Sequence, residues 1–132
     1  KVKVAGLKRV ERAVEKLTRA YGEDPSRLVD VCRQTIVFEE IRDMTQCLEA
    51  IERDESVRVL RVKNRMSQSF NAMASAGFRN VALNLTLNSI EAIKFGVDTH
   101  VCEVQLLLRH FADAKSNDGH KRYVLFRNAR GE

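Results

Sequence analysis

With 132 residues, the chain has room for one hydrophobic core and not for two, so residues 1–132 are read as one domain. Lys and Arg number 23 against 18 Asp and Glu, a net charge of +5, and 44% of residues are apolar, which describes a folded unit that favours anionic partners: nucleotides, nucleic acid or acidic proteins. No apolar run approaches the roughly 20 residues that cross a bilayer, no signal-peptide pattern is present, and Cys32, Cys47 and Cys102 lack the spacing of a zinc site or disulfide framework, which points to a reducing compartment. The start at Lys1 rather than Met reads as a fragment or a processed chain.

From Val4 to Tyr21, apolar side chains recur at Leu7, Val10, Val14, Leu17 and Tyr21, the spacing of a helix with one buried stripe and a solvated face of Lys, Arg and Glu. Gly22 ends it, and Asp24-Pro25 opens a turn or short helix. Val29 to Phe38, rich in β-branched residues, is expected to be a strand. A second amphipathic helix is expected from Asp43, as N-cap, to about Asp54, with Met44, Cys47, Leu48 and Ile51 on one side. Val57 to Arg65 alternates, with Val57, Val59, Arg61 and Lys63 on one face and Arg58, Leu60 and Val62 on the other.

Residues 66–76 have no period and read as a loop of functional length. After Gly77 comes the clearest strand, with Phe78, Asn80, Ala82, Asn84 and Thr86 on one side and Val81, Leu83, Leu85 and Leu87 on the other. A short strand around Ile93 to Val97 is expected to form a hairpin into a strand from His100 to Leu107. Arg109 to Lys115 reads as helix, Ser116 to Gly119 as a turn, and His120 to Arg127 as a last short helix or strand.

These elements describe an α/β (α+β) domain, a mixed sheet of about five strands with helices mainly on one face. Burying the apolar phase of each strand, at about 25 cal/mol per Å², drives folding and leaves the polar phase exposed together. Arg61, Lys63, Asn80, Asn84, Glu103 and Gln105 then gather on one face with Asp30 nearby. Two carboxylates beside two cations suit a place where divalent metal and phosphate meet, hence transfer of a phosphate-containing group. Each residue has a plainer reading. An acidic residue in a strand is usually just solvated, Arg61 and Lys63 form a basic solvent face, Phe78 is core, and His110 and His120 lie at the surface. RNA binding is the weaker alternative, because 6% aromatic residues do not build a paired stacking platform.

Four fragments in order carry a resemblance: Asp30-Val31-Cys32-Arg33-Gln34-Thr35, Arg61-Val62-Lys63-Asn64-Arg65, Gly77-Phe78-Arg79-Asn80-Val81-Ala82 and Glu103-Val104-Gln105-Leu106. They resemble D-x-x-G-x-R, R-F-K-D-Y, G-Y-[RQ]-S-x-H and E-[IV]-Q-[IL] of the synthetase domain of RelA/SpoT-like proteins, of nucleotidyltransferase fold, and His120-Lys121-Arg122-Tyr123 is similar to a closing H-x-x-Y-like helix. The resemblance covers nearly the whole chain and implies a divergent pyrophosphokinase, which moves the β,γ-pyrophosphate of magnesium-bound ATP to the 3′-hydroxyl of GDP or GTP and gives an alarmone.

It implies Asp30 and Glu103 as Mg²⁺ ligands and catalytic groups, with Glu103 alternatively the base. Arg61 and Lys63 touch phosphates, Arg33 replaces a lost cation, Phe78 stacks on the acceptor base, and Arg79, Asn80, Asn84, Gln105 and His120 complete the substrate contacts. The chain departs from the family at Arg33 and Thr35, where Gly and Arg stand, and at Asn80 and Ala82, where Ser and His stand. It departs too from the family's ATP-gripping R-x-K-x-x-x-S-I-x-x-K, for which only Lys1, Lys3 and Lys8 or Arg9 are available, with Leu7 at the serine position. The alternative is a catalytically degraded nucleotide-binding or regulatory module of the same fold. Either is expected in the cytoplasm, with neither membrane nor nucleic acid as partner.

Overall fold

The regular alternation of Val81–Leu87 makes that segment the centre of the fold. In the computed structural model, which describes residues 2–3, 6–115 and 117–130, it is strand β4, and every residue from Val81 to Thr86 is buried. β5 (Cys102–Leu108) and β3 (Val57–Asn64) flank it, both antiparallel. β2 (Arg33–Phe38) pairs parallel to β5, and a two-residue strand, β1 (Val2–Lys3), pairs with Ile36 and Thr35. The order is β1-β2-β5-β4-β3. Four of the five expected strands form; the fifth, around Ile93 to Val97, does not, and the two-residue β1 at the sheet edge was not expected.

One face of the sheet is the core. α2 (Ile41–Arg53) lays Met44, Cys47, Leu48 and Ile51 over Val81, Leu83 and Leu85 of β4 and Leu106 and Leu108 of β5. Leu83, Leu106 and Leu107 are sealed from solvent, and burial on this scale is the main favourable term in folding. The other face looks into a groove bordered by α1 (Val10–Ala20), α4 (Arg109–Ala114) and α5 (Asn117–Ala129).

Several expectations are corrected. Helix α1 starts at Val10 rather than Val4, and its apolar stripe is not buried: Leu7, Val10 and Val14 are 75%, 73% and 55% exposed. An ion pair and a hydrogen bond orient it instead, with Lys16 turned to Asp30 and Arg19 Nη1 donating to Asn128 Oδ1 of α5 at 3.4 Å. β2 begins at Arg33, so Asp30 lies in the irregular segment ahead of it. α2 begins at Ile41, with Glu40 at the cap position and Asp43 in the first turn, where its charge complements the helix dipole. The strand expected around Ile93 to Val97 is the short helix α3 (Ile90–Lys94). Ser89 Oγ accepts from Ala92 N at its start, and Gly96, at φ +65°, turns the chain after its end. Residues 117–119, expected in a turn, already belong to α5.

The most consequential correction is in β3. Val59 pairs with Leu85 but Arg61 pairs with Asn84, so Leu60 is an extra residue in a β-bulge. Val57 and Val59 therefore face α2, whereas Arg61 and Lys63 face the groove side, rather than all four sharing one face.

Candidate active site

The strand register lays out the groove-side face in two rows. Arg61, Asn84, Glu103 and Arg33 stand side by side across β3, β4, β5 and β2; the next row is Lys63, Ala82, Gln105 and Thr35. Above them the groove encloses about 1520 Å³, and Asp30, Arg33, Lys63, Phe78, Asn80, Glu103 and Gln105 all line it. The polar phase is not uniformly exposed: Asn80 and Asn84, central in the sheet, are buried at 2% and 7% exposure.

Asp30 sits at one wall. Lys8 Nζ and Lys16 Nζ donate to its Oδ2 at 2.5 and 3.0 Å, and Lys8 N holds Val31 O at 3.2 Å. Burial pushes this carboxyl up, and the hydrogen bonds and charges of Lys8 and Lys16 outweigh it, leaving Asp30 below its ordinary value. Its Oδ1 is buried without a hydrogen-bond partner. Glu103, half-buried, accepts from Gln105 Nε2 at 2.5 Å, the i, i+2 spacing placing both on one face of β5. Burial, with Arg61 and Arg65 close by, lowers the Lys63 pKa, disfavouring its charged form where no anion stands beside it.

Phe78 follows a reversal in which Ala76 and Gly77 both take left-handed backbone, φ +52° and +81°. Its ring meets Phe111 edge to face at 6.2 Å, and Lys115 Nζ lies 5.4 Å from its centroid. Three other candidates are placed differently from expectation. The Arg79 guanidinium holds the carbonyls of Arg65, Ser67 and Phe70, so it is a clamp on the 65–70 loop and not a group on the groove wall. Asn84 lies beneath the floor with its Nδ2 unpaired, and Arg61 is exposed on the same face but outside the groove. Asn80 lines the groove while its Oδ1 accepts from Arg65 Nη1 at 3.0 Å. The His120 side chain lies outside the described residues, as does Lys1.

Sequence reasoning missed Lys16 and Arg12, which line the groove although α1 was read as a solvated face, and Arg122 of α5, which lines it too. A signal was present. Lys8 and Lys16 stand at the two lysine positions of R-x-K-x-x-x-S-I-x-x-K, with Gly6 at the arginine and Arg12 at the serine; anchoring the motif on Lys1 and Lys3 hid them. Among the described residues no cluster of three His, Cys, Asp or Glu could cage a metal. Magnesium does not need one, since it binds through one or two carboxylates plus substrate phosphates. The partnerless Asp30 Oδ1 and the Glu103 carboxylate fit that need.

No family model matches the sequence, and no curated protein matches it. Solved structures do. Small alarmone synthetase 1 from Bacillus subtilis bound to its product pppGpp superposes with a TM-score of 0.68 at 12% identity, over 93% of this chain and 61% of that one. A GTP pyrophosphokinase family protein from Streptococcus pneumoniae gives 0.71 at 13%, over 93% and 59%. The fold is that of the small alarmone synthetases. The same Bacillus protein bound to AMPCPP matches at 0.54 and 14% identity, over 98% of this chain and 68% of that one. The chain thus spans about three fifths of the length of the first two synthetase-fold structures. Among the described residues no helix is long and apolar enough to cross a membrane.

Proposed function

We propose that this domain transfers the β,γ-pyrophosphate of magnesium-bound ATP to the ribose 3′-hydroxyl of GDP or GTP. The observation that carries the reading is the groove itself, where Asp30, Glu103, Lys8, Lys16, Arg33 and Lys63 line one volume on a synthetase fold. The pppGpp and AMPCPP held by similarly folded proteins support nucleotides as its occupants.

Lys8, Lys16, Arg33 and Lys63 bind the donor phosphates, neutralising their charge and holding them in line for attack. Asp30 Oδ1 and Glu103 would hold the magnesium that ATP brings, which spreads the negative charge developing on the phosphates. Phe78 offers an aromatic face to the acceptor base. Alternatively Glu103, oriented by Gln105, stays off the metal and takes the proton of the 3′-hydroxyl. The 3′ oxygen then bonds to the β-phosphorus, the bond between that phosphorus and the α,β-bridging oxygen breaks, and AMP leaves. Such substrates and the unpaired cysteines suit a cytoplasmic protein.

The test is incubation with ATP, GDP or GTP and Mg²⁺ and a search for a 3′-pyrophosphorylated guanine nucleotide. Nucleotide binding without product would favour the degraded, sensing module.

A further inference from the structure

We propose that Cys32 and Cys102 form an oxidative modification site, closing to an intramolecular disulfide when the protein meets a peroxide. The two cysteines come together at the open end of the parallel β2–β5 pair. Arg33 pairs with Glu103, and Glu103 N donates to Cys32 O at 2.9 Å, so one step back along the ladder Cys32 stands opposite Cys102. Neighbouring strands lie about 4.8 Å apart, within the Cα separation that a disulfide spans. Cys32 is the neighbour that acts on the Cys102 thiol, and both are half-buried free thiols.

The two sulfurs have different parts. One sulfur meets the peroxide and the other closes the bond, with Cys32 taking the first part. The Cys32 thiolate attacks one peroxide oxygen, the O–O bond breaks, and Cys32 becomes a sulfenic acid as hydroxide leaves and takes up the proton that Cys32 gave up. The Cys102 sulfur then attacks the Cys32 sulfur, the S–O bond breaks, and water leaves with the Cys102 proton. Two thiols and one hydrogen peroxide thus give one disulfide and two waters. The bond ties the segment carrying Asp30 to the strand carrying Glu103. Cys47, on α2, has no part in it.

The reduced chain is treated with hydrogen peroxide, its remaining thiols are alkylated, and intact mass and peptide maps are read. Free thiols should fall from three to one, with the Cys32 and Cys102 peptides linked and the link reversed by dithiothreitol. Cys32→Ser and Cys102→Ser should each abolish the cross-link, and Cys47→Ser should leave it unchanged. A cross-link through Cys47, a link only between chains, or separate overoxidation of Cys32 and Cys102 would overturn the proposal. No nucleotide enters the experiment, so its outcome is independent of the transfer reaction.

Discussion

Lys8 Nζ lies 2.5 Å from Asp30 Oδ2, with both side chains about nine-tenths buried at 10% and 12% exposure. This pair and its neighbour Lys16 fix α1 against the segment that enters β2. Because Asp30 titrates below its ordinary value, the pair contributes fully above the usual carboxylate range and is lost as pH falls through the depressed folded pKa. Lys8→Met keeps the stem and removes the charge. It is expected to cost about 2 kcal/mol at neutral pH and to move acid unfolding to higher pH, with the difference from the parent shrinking in acid. Denaturant unfolding followed across pH checks this, and a penalty independent of pH would contradict the pairing.

The bulge at Leu60 makes an unusual forecast. Removing Leu60 restores simple alternation while keeping Val59 toward α2 and Arg61 and Lys63 toward the groove. The deletion variant should fold and unfold cooperatively. Deleting Val62 instead drives Lys63 onto the α2 face and should abolish cooperative thermal unfolding.

Arg79 holds three carbonyls of the 65–70 loop, a fork geometry that an ammonium cannot reproduce. Arg79→Lys should destabilise the domain by about 2 kcal/mol and expose this loop to protease. A variant as stable and as protease-resistant as the parent would leave the clamp without energetic weight.

Much of the fold was legible. Val81–Leu87 and α2 could be read from periodicity, because their apolar positions do meet in the core. β3 misled because alternation by itself cannot reveal an extra residue; only Asn84 opposite Arg61 shows the change of phase. Ile93 and Val97 suggested a strand, yet the Ser89 cap and Gly96 made a helical turn of that stretch. The stripe of Leu7, Val10 and Val14 was a true helical period with a false inference of burial. The groove's carboxylates and the strand cations Arg33 and Lys63 could be named from motifs, and Lys8 and Lys16 from the motif in its shifted register, but not the pairing of those lysines with a carboxylate 22 and 14 residues away. No local pattern announces such a pairing.

Phe78 lines the groove with its edge on Phe111, and base stacking on its face should favour the acceptor. Phe78→Ala is expected to weaken GTP binding by about tenfold while changing ATP binding little, as read by calorimetry with each nucleotide. Equal losses for both would refute the stacking role.

Pyrophosphate transfer itself is the decisive measurement: the domain incubated with ATP, GTP and Mg²⁺, alongside Asp30→Asn and Glu103→Gln variants confirmed as folded. The parent should yield guanine nucleotide pyrophosphorylated at the 3′-hydroxyl, and each variant should fall by at least about a hundredfold. Product formed equally well by both variants would contradict the assignment of these carboxylates, and no product from a folded parent that binds both nucleotides would contradict the transfer reaction.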